Sequence, residues 1–122
     1  MIAAGFGFRA NATEDSLADA FDKATGGIAV DVIATASDKA EHDAFRTLAS
    51  KTDAAVAAID ATLLQTQDTE TASEISLIER GTGAVAEASA LAAAGPGAVL
   101  LTPRVISADR MATCALAEGG GL

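Results

Sequence analysis

Gly5-Phe6-Gly7-Phe8-Arg9 places two bare glycines and a guanidinium at alternate positions, with phenylalanines between them. In a strand, successive side chains point to opposite faces. Gly5, Gly7 and Arg9 therefore share one face, and Phe6 and Phe8 the other. The phenylalanines can anchor the strand in a core. The glycines leave uncovered backbone beside a positive charge, where a flat or bulky ligand can come close. A helix starting just beyond adds N–H donors that favour an anion. A planar ligand carrying carboxylates suits this arrangement. The competing explanation is that the glycines only admit a helix, with Arg9 paired to a surface acid, and spacing does not separate the two. Gly5 to Ala10 also reads G-x-G-x-x-A, with Asp31 about 20 residues on, a loose form of the dinucleotide fingerprint.

Gly81-Thr82-Gly83 runs into a second helix, where backbone N–H groups can hold a carboxylate or phosphate. No Lys-Ser or Lys-Thr follows at P-loop spacing. Glu87, one turn in, is either a general base or a solvated helix acid; the sequence favours the latter. Lys39, after Asp38, closes a strand at the end of an open sheet where ligands collect. Arg104, after Pro103, closes another. Either cation can meet an acidic ligand or simply be solvated. His42, between Glu41 and Asp43, is the sole histidine. It reads as a surface helix residue, with a role as base as the alternative. No second histidine or cysteine lies at metal-ligand spacing, so no metal site is expected. Cys114, the single cysteine, sits in a strand without a basic neighbour and reads as a buried structural thiol.

The elements that must position these residues follow from periodicity and punctuation. Met1 to Phe8 is a strand. Thr13 caps a helix from Glu14 to about Ala24, with two acids in its first turn. Leu17, Ala20, Phe21 and Ala24 give it a core face, and Gly26-Gly27 stops it. Ile28 to Ala36, nearly continuous in apolar residues, is a buried central strand. Asp38 and Glu41 make a capping pair for a helix to about Ser50 with Phe45, Leu48 and Ala49 inward. Ala54 to Ile59 is a third strand. A short turn after Asp60 carrying Leu63 and Leu64, a loop over 65–72 and a short helix over 73–80 come next. A helix from Ala84 to Ala94, with a stripe of Val85, Ala88, Leu91 and Ala92, ends at Gly95-Pro96-Gly97. Ala98 to Thr102 is a fourth strand, ended or edged by Pro103. Met111 to Ala117 pairs with it through a turn at Ser107-Ala108-Asp109. Strands alternating with helices specify an α/β fold: one layered domain over residues 1–118, with an about five-stranded, mixed, mostly parallel sheet and helices packed on it. Residues 119–122 are expected to be a flexible tail.

Composition narrows the function. The chain has 122 residues, eight Lys and Arg against seventeen Asp and Glu, and a net charge of −9. The cations form no run, and four phenylalanines are the only aromatics, which argues against nucleic acid. Acidity argues against anionic membrane surfaces. No apolar run reaches bilayer-spanning length, no signal peptide is evident, and a lone cysteine suits a reducing compartment, so a cytoplasmic protein is expected.

These motifs, in their order, resemble the CobE family of cobalamin-biosynthesis proteins and the C-terminal domain of CbiG. Gly5-Phe6-Gly7-Phe8-Arg9 is similar to the family's glycine-x-glycine-x-arginine start. Ala34-Thr35-Ala36-Ser37-Asp38-Lys39 sits where the family has small residues ending in lysine. The segment Gly81 to Leu91 resembles its most recognisable stretch, and Leu100 to Arg104 followed by Met111 to Ala115 its closing strands. Ala84 departs from a position where many relatives have serine, and Arg104 from one where lysine is common. The resemblance implies a role in building the corrin ring, with no cofactor but a precorrin or corrinoid as ligand, and with other pathway enzymes as further partners. On the family motifs fall Gly5, Gly7, Arg9, Lys39, Gly81, Gly83 and Glu87. Thr82 and Arg104 join the expected ligand-binding set by position. The leading expectation is an accessory or carrier protein for the intermediate. The alternatives are a CbiG-like hydrolase of a precorrin lactone, with Glu87 or His42 as base, and a dinucleotide-binding domain.

Overall fold

The computed structural model describes residues 1–60, 82–95 and 97–119. The expected turn after Asp60, the loop over 65–72, the helix over 73–80 and Gly81 lie outside the described residues, as do 120–122.

Strand β1 (Ile2–Phe8) is central. It leads to helix α1 (Glu14–Thr25), strand β2 (Val32–Ala36), helix α2 (Asp43–Thr52) and strand β3 (Ala55–Ile59). Helix α3 (Thr82–Ala94), strand β4 (Val99–Ile106) and strand β5 (Ala112–Glu118) complete the described chain. The sheet has five strands in the order β3-β2-β1-β5-β4. β1, β2 and β3 pair in parallel, while β5 is antiparallel to both β1 and β4. Four strands thus run one way and β5 the other.

Strand parity sorts the layers. Ala4, Phe6 and Phe8 of β1 join Leu17 of α1, Phe45 and Leu48 of α2, and Cys114 and Leu116 of β5 in one buried cluster. Ala3 of β1 packs instead with Ala90, Leu91 and Ala94 of α3 and Ala117 of β5. The sheet is therefore sandwiched between α1 with α2 on one face and α3 on the other.

The caps explain α1. Thr13 accepts from Ser16 N–H, and Ser16 Oγ accepts from Thr13 N–H, each at 3.2 Å, which satisfies two orphan donors reciprocally. Gly26, at φ 55°, ends the helix in the left-handed region.

Four sequence expectations need correction. β2 begins at Val32 rather than Ile28, because Asp31 bonds Ile2 through both its N–H and its carboxylate before the parallel ladder starts. The α2 cap is His42, not Asp38 with Glu41: residues 37–41 form turns closed by Lys39 N–H to Ala36 O and His42 N–H to Lys39 O. α3 buries Ala86 to Leu91 and Ala94 rather than a narrow stripe of Val85, Ala88, Leu91 and Ala92; Val85 and Ala92 are half-buried. β4 runs past Pro103 to Ile106. It is an edge strand, and its register shifts on both sides of Thr102 relieve the ladder around Pro103. Gly119 N–H bonds Met1 O at 3.0 Å, and the rest of the expected tail lies outside the described residues.

Candidate functional site

The carboxyl end of β1 gathers most of the sequence-predicted cations. Phe6 of β1 stands opposite Thr35 of β2, so the strands end side by side, β1 at Phe8 and β2 at Ala36. The chain adds β2 and β3 on one side of β1 and β5 and β4 on the other, the setting in which open α/β sheets leave a crevice at the strand ends.

Arg9 follows β1 directly. Its N–H bonds Met111 O at 2.9 Å and its carbonyl receives Ala12 N–H at 3.0 Å, so the backbone is fixed while the residue stays exposed. Lys39 follows β2, and its Nζ lies 5.5 Å from the centre of the Phe8 ring, a cation–π distance. Phe8 itself is buried, edge-on to His42 at 5.1 Å and stacked on Phe45 at 6.2 Å. Arg9 and Lys39 form no ion pair among the described residues, whereas Lys23, Arg46 and Lys51 each pair with a carboxylate.

α3 contributes its first turn to the same end. Ala86 and Ala90 lie over Gly5, and Ala94 lies beside Gly119, next to Met1 at the amino end of β1. α3 therefore runs antiparallel to β1 and starts, at Thr82 and Gly83, toward the end bearing Arg9. The positive end of the helix dipole faces that way.

The glycines do something other than expose backbone. A Cβ on Gly5 would lie 2.1 Å from Ala86 O and 2.4 Å from Ala90 N. The helix occupies the face that the sequence left open, so Gly5 serves the close approach of α3. Gly7 is also buried, and its carbonyl accepts from Thr113 Oγ1 at 3.1 Å. This geometry also removes the dinucleotide fingerprint: both glycines lie within β1 rather than in a strand-to-helix turn, and Asp31 spends its carboxylate on Ile2 N–H at the opposite end of the sheet.

Arg104 is not brought to the cation pair. It sits on the edge strand β4, separated from β1 by β5. Its backbone N–H donates to Glu87 Oε2 at 3.1 Å. Glu87 is fully buried beneath α3, so it is no solvated helix acid. His42 is no bare surface residue either. Its Nδ1 accepts from Ala44 N–H at 3.1 Å, and its Nε2 lies 2.6 Å from Ala10 O. A carbonyl only accepts, so both bonds require the neutral ring with its proton on Nε2. Sequence reasoning missed this bridge, because nothing in the pattern signals a histidine N-cap.

Cys114 is fully buried, and burial pushes its thiol pKa far up. No cluster of three His, Cys, Asp or Glu among the described residues could hold a metal. No helix among them is long and apolar enough to cross a membrane.

The family model described as the cobalamin synthesis G C-terminus matches residues 2–117. The chain belongs to the CbiG C-terminal family. Solved structures agree. A CobE, described as a protein from the cobalamin (vitamin B12) biosynthetic pathway, superposes with a TM-score of 0.76 at 26% identity, covering 96% of this chain and 92% of that one. The cobalamin biosynthesis protein chiG from Agrobacterium tumefaciens superposes at 0.72 with 30% identity, covering 98% and 99%. A cobalamin biosynthesis protein G homologue from Sulfolobus solfataricus shares the fold at 0.70 and 19% identity; 95% of this chain corresponds to 36% of that longer one. The search of curated proteins found no match. This CbiG C-terminal domain is thus a protein of cobalamin biosynthesis, and its family resemblance in sequence is matched by its fold.

Proposed function

We propose that the protein binds a carboxylate-bearing precorrin or corrinoid intermediate at the carboxyl ends of β1 and β2, and serves the pathway as an accessory or carrier protein. One observation carries this reading: in a chain with seventeen acids, Arg9 and Lys39 stand at neighbouring strand ends without a carboxylate partner among the described residues. Two cations at the strand ends, toward which the amino end of α3 points, suit carboxylates on the rim of a macrocycle. All four phenylalanines belong to the packed core, so the ring face would rest on aliphatic surface rather than on aromatic platforms.

The hydrolase alternative finds less support. Glu87 is buried and accepts from Arg104 N–H, and His42 has both nitrogens committed. Neither is placed as a ready base.

The test is a titration with precorrin and corrinoid intermediates followed by visible absorbance, repeated with Arg9→Ala and Lys39→Ala. Saturable binding that weakens about tenfold in each variant, with the fold intact, is expected from the loss of one charge-assisted contact. Equal affinity in wild type and both variants would overturn the assignment of the site.

A further inference from the structure

We infer that His42 is the positioning residue of this site: it clamps the turn after β1, which carries Arg9, to the turn after β2, which carries Lys39. This deepens the binding reading above and rests on it for its functional meaning.

Arg9 and Lys39 belong to separate connections. The first runs from Arg9 to α1, the second from Ser37 to α2. Each is closed by its own bonds: Ala12 N–H to Arg9 O in one, Lys39 N–H to Ala36 O and His42 N–H to Lys39 O in the other. His42 joins the two. Its Nδ1 holds the first turn of α2 through Ala44 N–H. Its Nε2–H reaches across to Ala10 O, the carbonyl immediately after Arg9. Its ring packs edge-on to Phe8, the same ring over which Lys39 Nζ lies. Phe8 therefore contacts both His42 and Lys39 at the strand ends. The β1–β2 pairing brings the two cations near each other, and the imidazole, with three simultaneous contacts, ties their turns together directly. A ligand with carboxylates at fixed positions needs that spacing held, since a contact misplaced by an ångström loses much of its worth.

His42→Asn separates the two hydrogen bonds. Asparagine is a favoured N-cap and replaces the bond to Ala44 N–H, but it is too short to reach Ala10 O. The variant should still fold cooperatively, its urea midpoint lowered by no more than the one lost bond is worth, about 1 kcal/mol. Amide hydrogen exchange should quicken about tenfold at Ala12 and Lys39, amides that close the two turns, as expected where a local opening loses one hydrogen bond. Affinity for cobyrinic acid, a corrin with free side-chain carboxylates, should fall about tenfold with the fold intact. Unchanged exchange at these amides would overturn the clamp whether or not any corrin binds. Binding by the wild type with equal affinity in His42→Asn would overturn its role in the site. Absence of binding by the wild type, together with quickened exchange, would uphold the clamp and sink the binding reading instead.

Discussion

Arg104 on the edge strand β4 donates its backbone N–H to the carboxylate of Glu87, buried under α3, across 3.1 Å. The bond falls where the β4–β5 register is interrupted between Thr102 and Val105. Glu87 thus takes up a main-chain donor that the ladder leaves over. Glu87→Ala removes the acceptor and leaves a cavity beneath the helix. The expected loss is about 3 kcal/mol, read as a lower urea midpoint. Glu87→Gln retains an acceptor oxygen and should lose about 1 kcal/mol. Equal midpoints for wild type and Glu87→Ala would show that the bond does not hold β4.

Two glycines should respond very unequally to the same change. At Gly5 an added methyl meets α3 backbone at 2.1 Å, and backbone cannot swing aside. Gly5→Ala should cost about 3 kcal/mol or more, or prevent folding. At Gly26 nothing lies within 4 Å, but φ is 55°. Gly26→Ala should cost only about 1 kcal/mol, from the left-handed backbone. Thermal unfolding of the two variants side by side checks the order.

The β4–β5 turn is clasped to α1 by two acids. Ala108 N–H donates to Asp19, which also pairs with Lys23, and both hold the Asp19 carboxyl below its ordinary value. Ser107 and Ser16 hydroxyls, with Met111 N–H, do the same for Asp109. A carboxyl depressed in the folded state binds its proton less readily there than in the unfolded chain. Its stabilisation is therefore present above the ordinary value of 3.8 and disappears as pH falls through the lower folded value. Asp19→Asn and Asp109→Asn should each flatten the fall in urea midpoint through that acidic window. An unaltered slope in both would remove the two acids from the acid response.

Cys114 offers a probe of global opening. Fully buried in β5, with its thiol pKa pushed up by burial, it should resist a thiol reagent in native buffer and react fully in urea. Rapid native labelling would mean that β5 opens locally, against its position between β1 and β4.

The sequence made α1 legible nearly to the residue, because Thr13, the acids behind it and Gly26 are each chemically suited to their positions. The α3 face was not legible: alanine carries almost no contrast between inside and outside, so periodicity pointed at Val85 and Ala92 while the helix turned Ala86 and Ala90 to β1. Parity placed Gly5, Gly7 and Arg9 on one face of β1, and could not say that a helix would cover it. Arg9 and Lys39 were legible as cations following strands, and their proximity came from the parallel β1–β2 pairing. The histidine bridge depends on a carbonyl 32 residues away in sequence, and no local pattern reports that contact.

The enclosed rings give the molecule a built-in optical reporter. Phe6 stacks on Phe21 and meets Phe45 edge-on, Phe45 stacks on Phe8, and Phe8 carries Lys39 and His42. With no tryptophan or tyrosine in the chain, the aromatic near-ultraviolet dichroism of the protein arises from this one chain of rings. Its outer member is the ring beneath the two cations' turns. A change at the strand ends would thus be written directly into the phenylalanine fine structure, free of overlapping signals from elsewhere in the fold.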